Sequence, residues 1–114
     1  MTTPRMLKVN STLREVLADE VERLSDSRLE MVSITGVDTA PNLRRATVYV
    51  DVLAEDGEAA IEALEAAAKR LQKAIGRQVR MKFTPVLDFQ LDPGVRGGER
   101  IDEILRTLHA TEEE

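Results

Sequence analysis

Between Lys69 and Lys82 the chain carries Lys69, Arg70, Lys73, Arg77, Arg80 and Lys82, and neither an Asp nor a Glu. The formal net charge of the chain is −5, so these six cations leave −11 on everything else. Cations gathered on one stretch of an acidic protein hold polyanions, nucleic acid above all, by neutralising phosphates. The competing reading is a solvated helix face whose cations favour the C-terminal end of the helix dipole. The total absence of acid from the window, in a chain otherwise so acidic, favours the polyanion. Ala74-Ile75-Gly76 breaks the window with small residues, which places Ala74 and Gly76 among the candidate contacts. Arg44 and Arg45 form a second pair of cations beside a turn, where solvated charge and RNA contact are both open readings. Arg5 and Lys8 read as solvated, or as an extension of the basic face.

Little else in the sequence could do chemistry. There is no cysteine, hence no disulfide framework and no thiolate metal site. His109 is the only histidine, near a chain end, with no second imidazole beside it. The serines lack a nucleophile-elbow context, and no Walker-type glycine loop is present. We therefore expect no catalytic residue, no metal, no cofactor and no small-molecule substrate. Aromatic residues are limited to Tyr49, Phe83 and Phe89. Modules that read single strands by base stacking need aromatic platforms, so phosphate contact and shape should dominate any RNA binding here. No apolar run is long enough to span a membrane, and the N-terminus lacks the apolar segment of a signal peptide. A soluble, cytoplasmic protein is expected.

The elements that must position these residues follow from periodicity. Met6, Val9, Leu13, Val16, Leu17, Val21 and Leu24 recur at three and four, which predicts a helix over Lys8–Leu24. Met31–Val37 reads as a strand, Thr39-Ala40-Pro41-Asn42 as a turn, and Ala46–Leu53 as the clearest strand. Val48, Val50 and Val52 face one way and Thr47, Tyr49 and Asp51 the other. The two runs predict an antiparallel hairpin. After the acidic loop Ala54-Glu55-Asp56-Gly57, a helix follows from Glu58, with Ile61, Leu64, Ala68, Leu71 and Ile75 as its stripe. Two continuations are open past Gly76. Val79 extends the stripe into a second, kinked helix; alternatively Val79, Met81 and Phe83 alternate with Arg80 and Lys82 as a strand, with Gly76 as the residue ending the helix. Val86–Leu91 is the last strand and Glu99–Leu108 a short final helix. Ala110–Glu114 reads as an acidic disordered tail after a single domain over residues 1–109. The order is α-β-β-α-kink-α-β with a short C-terminal helix, an α+β fold whose three-stranded sheet has helices packed on one face.

Four stretches resemble the bacterial ribosome-binding factor A family: Val37–Leu53 (VDTAPNLRRATVYVDVL), Arg70–Phe89 (RLQKAIGRQVRMKFTPVLDF), Gly98–Leu105 (GERIDEIL) and Arg5–Asn10 (RMLKVN). The resemblance covers nearly the whole chain, in order. It implies a KH-like fold of the bacterial type (type II), in which an Ala-x-Gly interhelical kink replaces the Gly-x-x-Gly loop of ordinary KH domains. Ala74-Ile75-Gly76 matches that kink and favours the kinked helix. In that geometry unpaired N–H groups at the start of the second helix face a phosphate, Gly76 leaves room for the RNA backbone, and Arg77 and Arg80 flank it. The resemblance further implies a non-enzymatic monomer that binds the free small ribosomal subunit and its 16S rRNA. It would assist late rRNA maturation, including processing of the 5′ end, and would be linked with cold adaptation. The family often has a longer charged C-terminal tail than Thr111-Glu112-Glu113-Glu114. The alternative function is a small α+β module that binds a protein or metabolite and regulates or oligomerises.

Overall fold

Thr3 and Pro4 start the first helix earlier than the apolar stripe alone predicts. The Thr3 hydroxyl accepts the Met6 N–H at 3.1 Å, and Pro4 occupies the first turn, where its missing N–H costs nothing. In the computed structural model, which describes residues 3–53 and 56–93, this helix, α1, runs Pro4–Glu22. A single 3-10 turn, Ser27–Leu29, leads into β1 (Val32–Thr39), followed by β2 (Arg45–Val52), α2 (Gly57–Ala66), α3 (Ala68–Gln78) and β3 (Val86–Leu91). The helix expected at Glu99–Leu108, the tail at Ala110–Glu114 and Ala54-Glu55 of the acidic loop lie outside the described residues.

The sheet order is β1-β2-β3, with β1 antiparallel to β2 and β2 parallel to β3. The antiparallel pair is the expected hairpin, closed by Ala40 N–H to Arg45 O at 2.8 Å. Leu43 completes the turn with φ 64°, a left-handed conformation that a leucine adopts only at a cost. Strand β1 continues two residues past the predicted end because of a bulge at Thr35. Ile34 pairs with Val50 but Gly36 with Tyr49, so Val37 and Thr39 turn inward like Ile34 before them. The Thr35 hydroxyl donates to the Tyr49 carbonyl at 3.2 Å across the bulge.

The helices cover one face of the sheet, as expected. Leu13, Leu17 and Val21 of α1 meet Val37, Val48, Val50 and Val52 of the hairpin in one core with Leu64, Leu71, Ile75, Leu87 and Phe89. The other face carries Thr35, Asp38, Thr47, Tyr49, Asp51 and Asp88, all partly exposed.

The helical break differs from the predicted one. It falls at Ala67 (φ −91°, ψ −1°), between α2 and α3, and not at Ala74-Ile75-Gly76. The sequence around Ala67 is alanine-rich with no Gly or Pro, so the break follows from packing. Helix α2 buries Ala60, Ala63 and Leu64 against β3 and the 3-10 turn, whereas α3 buries Leu71, Ala74 and Ile75 and packs on α1. Neither continuation past Gly76 is realised. Helix α3 ends at Gln78, and residues 79–85 form neither helix nor strand. Val79 and Met81 are half-buried against the core while Arg80 and Lys82 are exposed. The alternation is therefore that of an extended segment lying on the core without a pairing strand.

Candidate nucleic-acid interface

Helix α3 divides cleanly around its axis. Leu71, Ala74 and Ile75 are buried, while Lys69, Arg70, Lys73, Gly76 and Arg77 are exposed. Spacings of three and four put Lys69, Lys73 and Arg77 with Arg70 on one outward face. Arg80 and Lys82 add two exposed cations in the segment that follows. Among the described residues no ion pair engages any of these six side chains; the ion pairs include Arg23–Glu20, Arg28–Asp26 and Arg45–Asp88.

The corrected helix ends reverse part of the expected chemistry. Arg77 lies in the last turn of α3, where carbonyls face outward and the dipole is negative. No helix start follows Gly76, so backbone N–H groups cannot receive a phosphate there. The helix start lies instead at Ala68. No side chain caps it, no acid occupies its first turn, and Lys69 and Arg70 stand in it. Cations at that end oppose the helix dipole by about 0.3–1 kcal/mol each, nearer the low value here because the C-terminus of α2 directly precedes them. The dipole therefore does not account for them. The carbonyls of Ala63, Leu64 and Glu65 accept backbone N–H groups at the break, so an anion docked there would be held by the Lys69 and Arg70 side chains.

One further expected contact is corrected, and two others have structural partners. Ala74 is fully buried and contributes to the core, not to a surface. Gly76 does face outward, but a Cβ built on it would lie 3.3 Å from Thr84 Oγ1. The glycine admits the segment folding back over α3, which Gln72 also secures through Nε2 to Thr84 O at 3.3 Å. Arg45 is bound to Asp88 by two bonds, Nε to Oδ2 at 3.0 Å and Nη2 to Oδ1 at 2.8 Å, and braces β2 to β3 on the outer sheet face. Arg44 is different. Its guanidinium carbon lies 4.1 Å from the centroid of Phe83, and Lys82 Nζ lies 5.6 Å from the same ring. Such contacts are worth about 0.5–1 kcal/mol at exposed sites. From sequence, Phe83 has no role beyond its place in the alternation. The available signal is that it is the lone aromatic in a cationic stretch.

The two ends of the basic surface are joined to the rest of the fold. Glu20, nearly buried on α1, accepts from Gln78 Nε2 at 3.0 Å and from Arg23 Nη1 at 3.3 Å, which fixes the C-terminal end of α3 on α1. On the open sheet face, burial, followed by the nearby charges of Asp38 and Asp92, raises the Tyr49 phenol above its ordinary range. Among the described residues no cluster of His, Cys, Asp and Glu is arranged to hold a metal, and no helix is long and apolar enough to cross a membrane.

Known proteins resemble this chain in sequence and fold. The sequence model of the family "Ribosome-binding factor A" matches residues 5–105. The ribosome-binding factor A of Rubrobacter xylanophilus is 47% identical over 110 residues, covering 95% of this chain and 88% of that protein. The crystal structure of ribosome-binding factor A from Thermus thermophilus superposes with a TM-score of 0.73 at 31% identity, over 75% of this chain and 94% of that one. A homology model of the Thermus thermophilus factor, fitted into a cryo-EM map of its 30S complex, aligns at TM-score 0.62 and 33% identity, over 71% of this chain and 88% of that one.

Proposed function

This chain belongs to the ribosome-binding factor A family, and on that premise we propose that it docks the outward face of α3 on rRNA of the free small ribosomal subunit. It would assist late maturation of the 16S rRNA, including processing of its 5′ end. One observation supports this above the others: Lys69, Arg70, Lys73 and Arg77 share the exposed face of α3 with no acid on that helix and no ion-pair partner among the described residues. Lys73 and Arg77 carry the contact along the helix, with Arg80 and Lys82 beyond it. Support for the partner comes from the Thermus thermophilus relative fitted into a map of a small-subunit complex.

The mechanism is occupancy. Fixed cations neutralise a run of phosphates and hold one local rRNA conformation while the rest of the subunit matures. Phosphate contact gives the affinity, and the folded shape of the rRNA gives the selectivity. Sedimentation of purified protein with free small subunits tests this. Binding should weaken steeply with salt, and Lys73→Glu with Arg77→Glu should lower affinity at least about tenfold. Salt-insensitive binding, or wild-type affinity in the double variant, overturns the proposal.

A further inference from the structure

We infer that Phe83 is a positioning residue for RNA, holding Arg44 and Lys82 as a pre-set pair of cations that forms a second phosphate contact beyond α3. This rests on the reading of α3 as the rRNA face. The two cations come from different parts of the chain, the hairpin turn and the 79–85 segment, yet both approach one ring, at 4.1 and 5.6 Å from its centroid. They lie no more than about 10 Å apart. Among the described residues neither has a carboxylate partner. Two like charges brought together without an acid are unfavourable in the free protein, and an anion between them removes the repulsion.

The surroundings make the pair rigid. Val86 N–H donates to Arg44 O at 2.9 Å, and Arg45 pairs with Val86 in the sheet, so the backbone of the turn is fixed beside the ring-bearing segment. The same segment is tied to α3 through Thr84, by its contact with Gly76 and by the bond from Gln72. The geometry of the Arg44–Lys82 pair relative to Lys73 and Arg77 is therefore set before binding, and little side-chain freedom remains to be surrendered. Arg45 makes the contrast. One residue away, it is closed off by Asp88 and has no such role.

The test uses the whole protein and purified free small subunits, comparing Phe83→Leu, Phe83→Tyr, Arg44→Ala and the Phe83→Leu/Arg44→Ala double variant. Phe83→Leu keeps apolar bulk and removes the ring. It should weaken binding about three- to fivefold, as should Arg44→Ala, and the double variant should be no weaker than either single by more than about twofold. Phe83→Tyr should bind within about twofold of wild type. The slope of log affinity against log salt should fall by about 0.7 in Arg44→Ala and in Phe83→Leu alike, because each variant leaves one fewer phosphate neutralised. Arg44 is exposed, so its variant tests the contact even where Phe83→Leu perturbs the fold. Wild-type affinity and slope in Arg44→Ala, or multiplicative losses in the double variant, overturn the inference. If Lys73→Glu with Arg77→Glu binds as wild type, the α3 reading itself falls; if it loses binding while Arg44→Ala does not, only the present inference falls.

Discussion

Lys69 and Arg70 show most directly how a residue can be placed against the interest of its own helix. Replacing both with Glu puts acids in the first turn of α3, where the dipole favours them. The double variant should be more stable by about 0.3–1 kcal/mol in urea unfolding while losing at least about tenfold in small-subunit affinity. Lower stability, or retained binding, would show that the two cations serve the fold. Tyr49 gives a prediction of the opposite kind, about the outer sheet face. Its phenol is raised above the ordinary 10.0 by burial and by Asp38 and Asp92, so the folded chain keeps that proton longer than the unfolded chain does. The resulting stability is complete below the ordinary value and is lost as pH rises through the folded value. Tyr49→Phe should therefore flatten the alkaline loss of stability, measured by denaturant midpoints from about pH 8 to 11; an unchanged profile removes Tyr49 as its source. Residue types alone could not separate Arg44 from Arg45. They are neighbours with the same chemistry, and only the fold, which sets Asp88 within reach of Arg45 and the Phe83 ring against Arg44, gives them different partners.

Among the elements, those whose signal is local were legible. Alternation in Val48, Val50 and Val52 marks β2, and the three-and-four recurrence of Leu13, Leu17 and Val21 marks α1, because each pattern records one face against one core. The α2–α3 break was not legible. The stripe Leu64, Ala68, Leu71 runs past Ala67 without interruption, and what redirects the chain is that α2 and α3 pack on different partners. The candidate site inherits that difference: its six cations are exposed on α3 and the segment after it, while the helix start expected after Gly76 lies at Ala68. Gly76 can be tested as an element of packing. Gly76→Ala gains up to about 1 kcal/mol of helix propensity, offset by the few tenths of an ångström that Thr84 must yield. Thr84 is exposed and able to turn away, so net stabilisation of about 0.5 kcal/mol is expected, rising toward about 1 in a Thr84→Ala background. Small-subunit affinity should stay within about twofold in both. A stable Gly76→Ala protein that no longer binds would instead mean that the glycine receives the RNA backbone.

Over the whole molecule the charges are segregated rather than balanced. Glu58, Glu62 and Glu65 lie exposed on α2, and Glu15, Asp19 and Glu22 are exposed on α1, while α3 carries its cations without a partner among the described residues. On the proposed reading, a chain with net charge −5 approaching rRNA is repelled as a body and attracted by the α3 face, which selects its orientation. The acids of α2 contribute to that repulsion at the first turn of α3, since α2 runs directly into α3 through Ala67. At about 0.1 M salt the screening length is about 10 Å, so their field still reaches the first turn of α3; at about 1 M it is about 3 Å and the field does not. Replacing Glu58, Glu62 and Glu65 with Gln should therefore raise the association rate with free small subunits by about two- to fivefold at low salt, leave the dissociation rate nearly unchanged, and converge on wild type at high salt. Stopped-flow mixing across a salt series measures both rates. An effect that persists at high salt, or one that appears in dissociation, would show that α2 touches the subunit directly and that the interface extends beyond α3 onto the acidic side of the break.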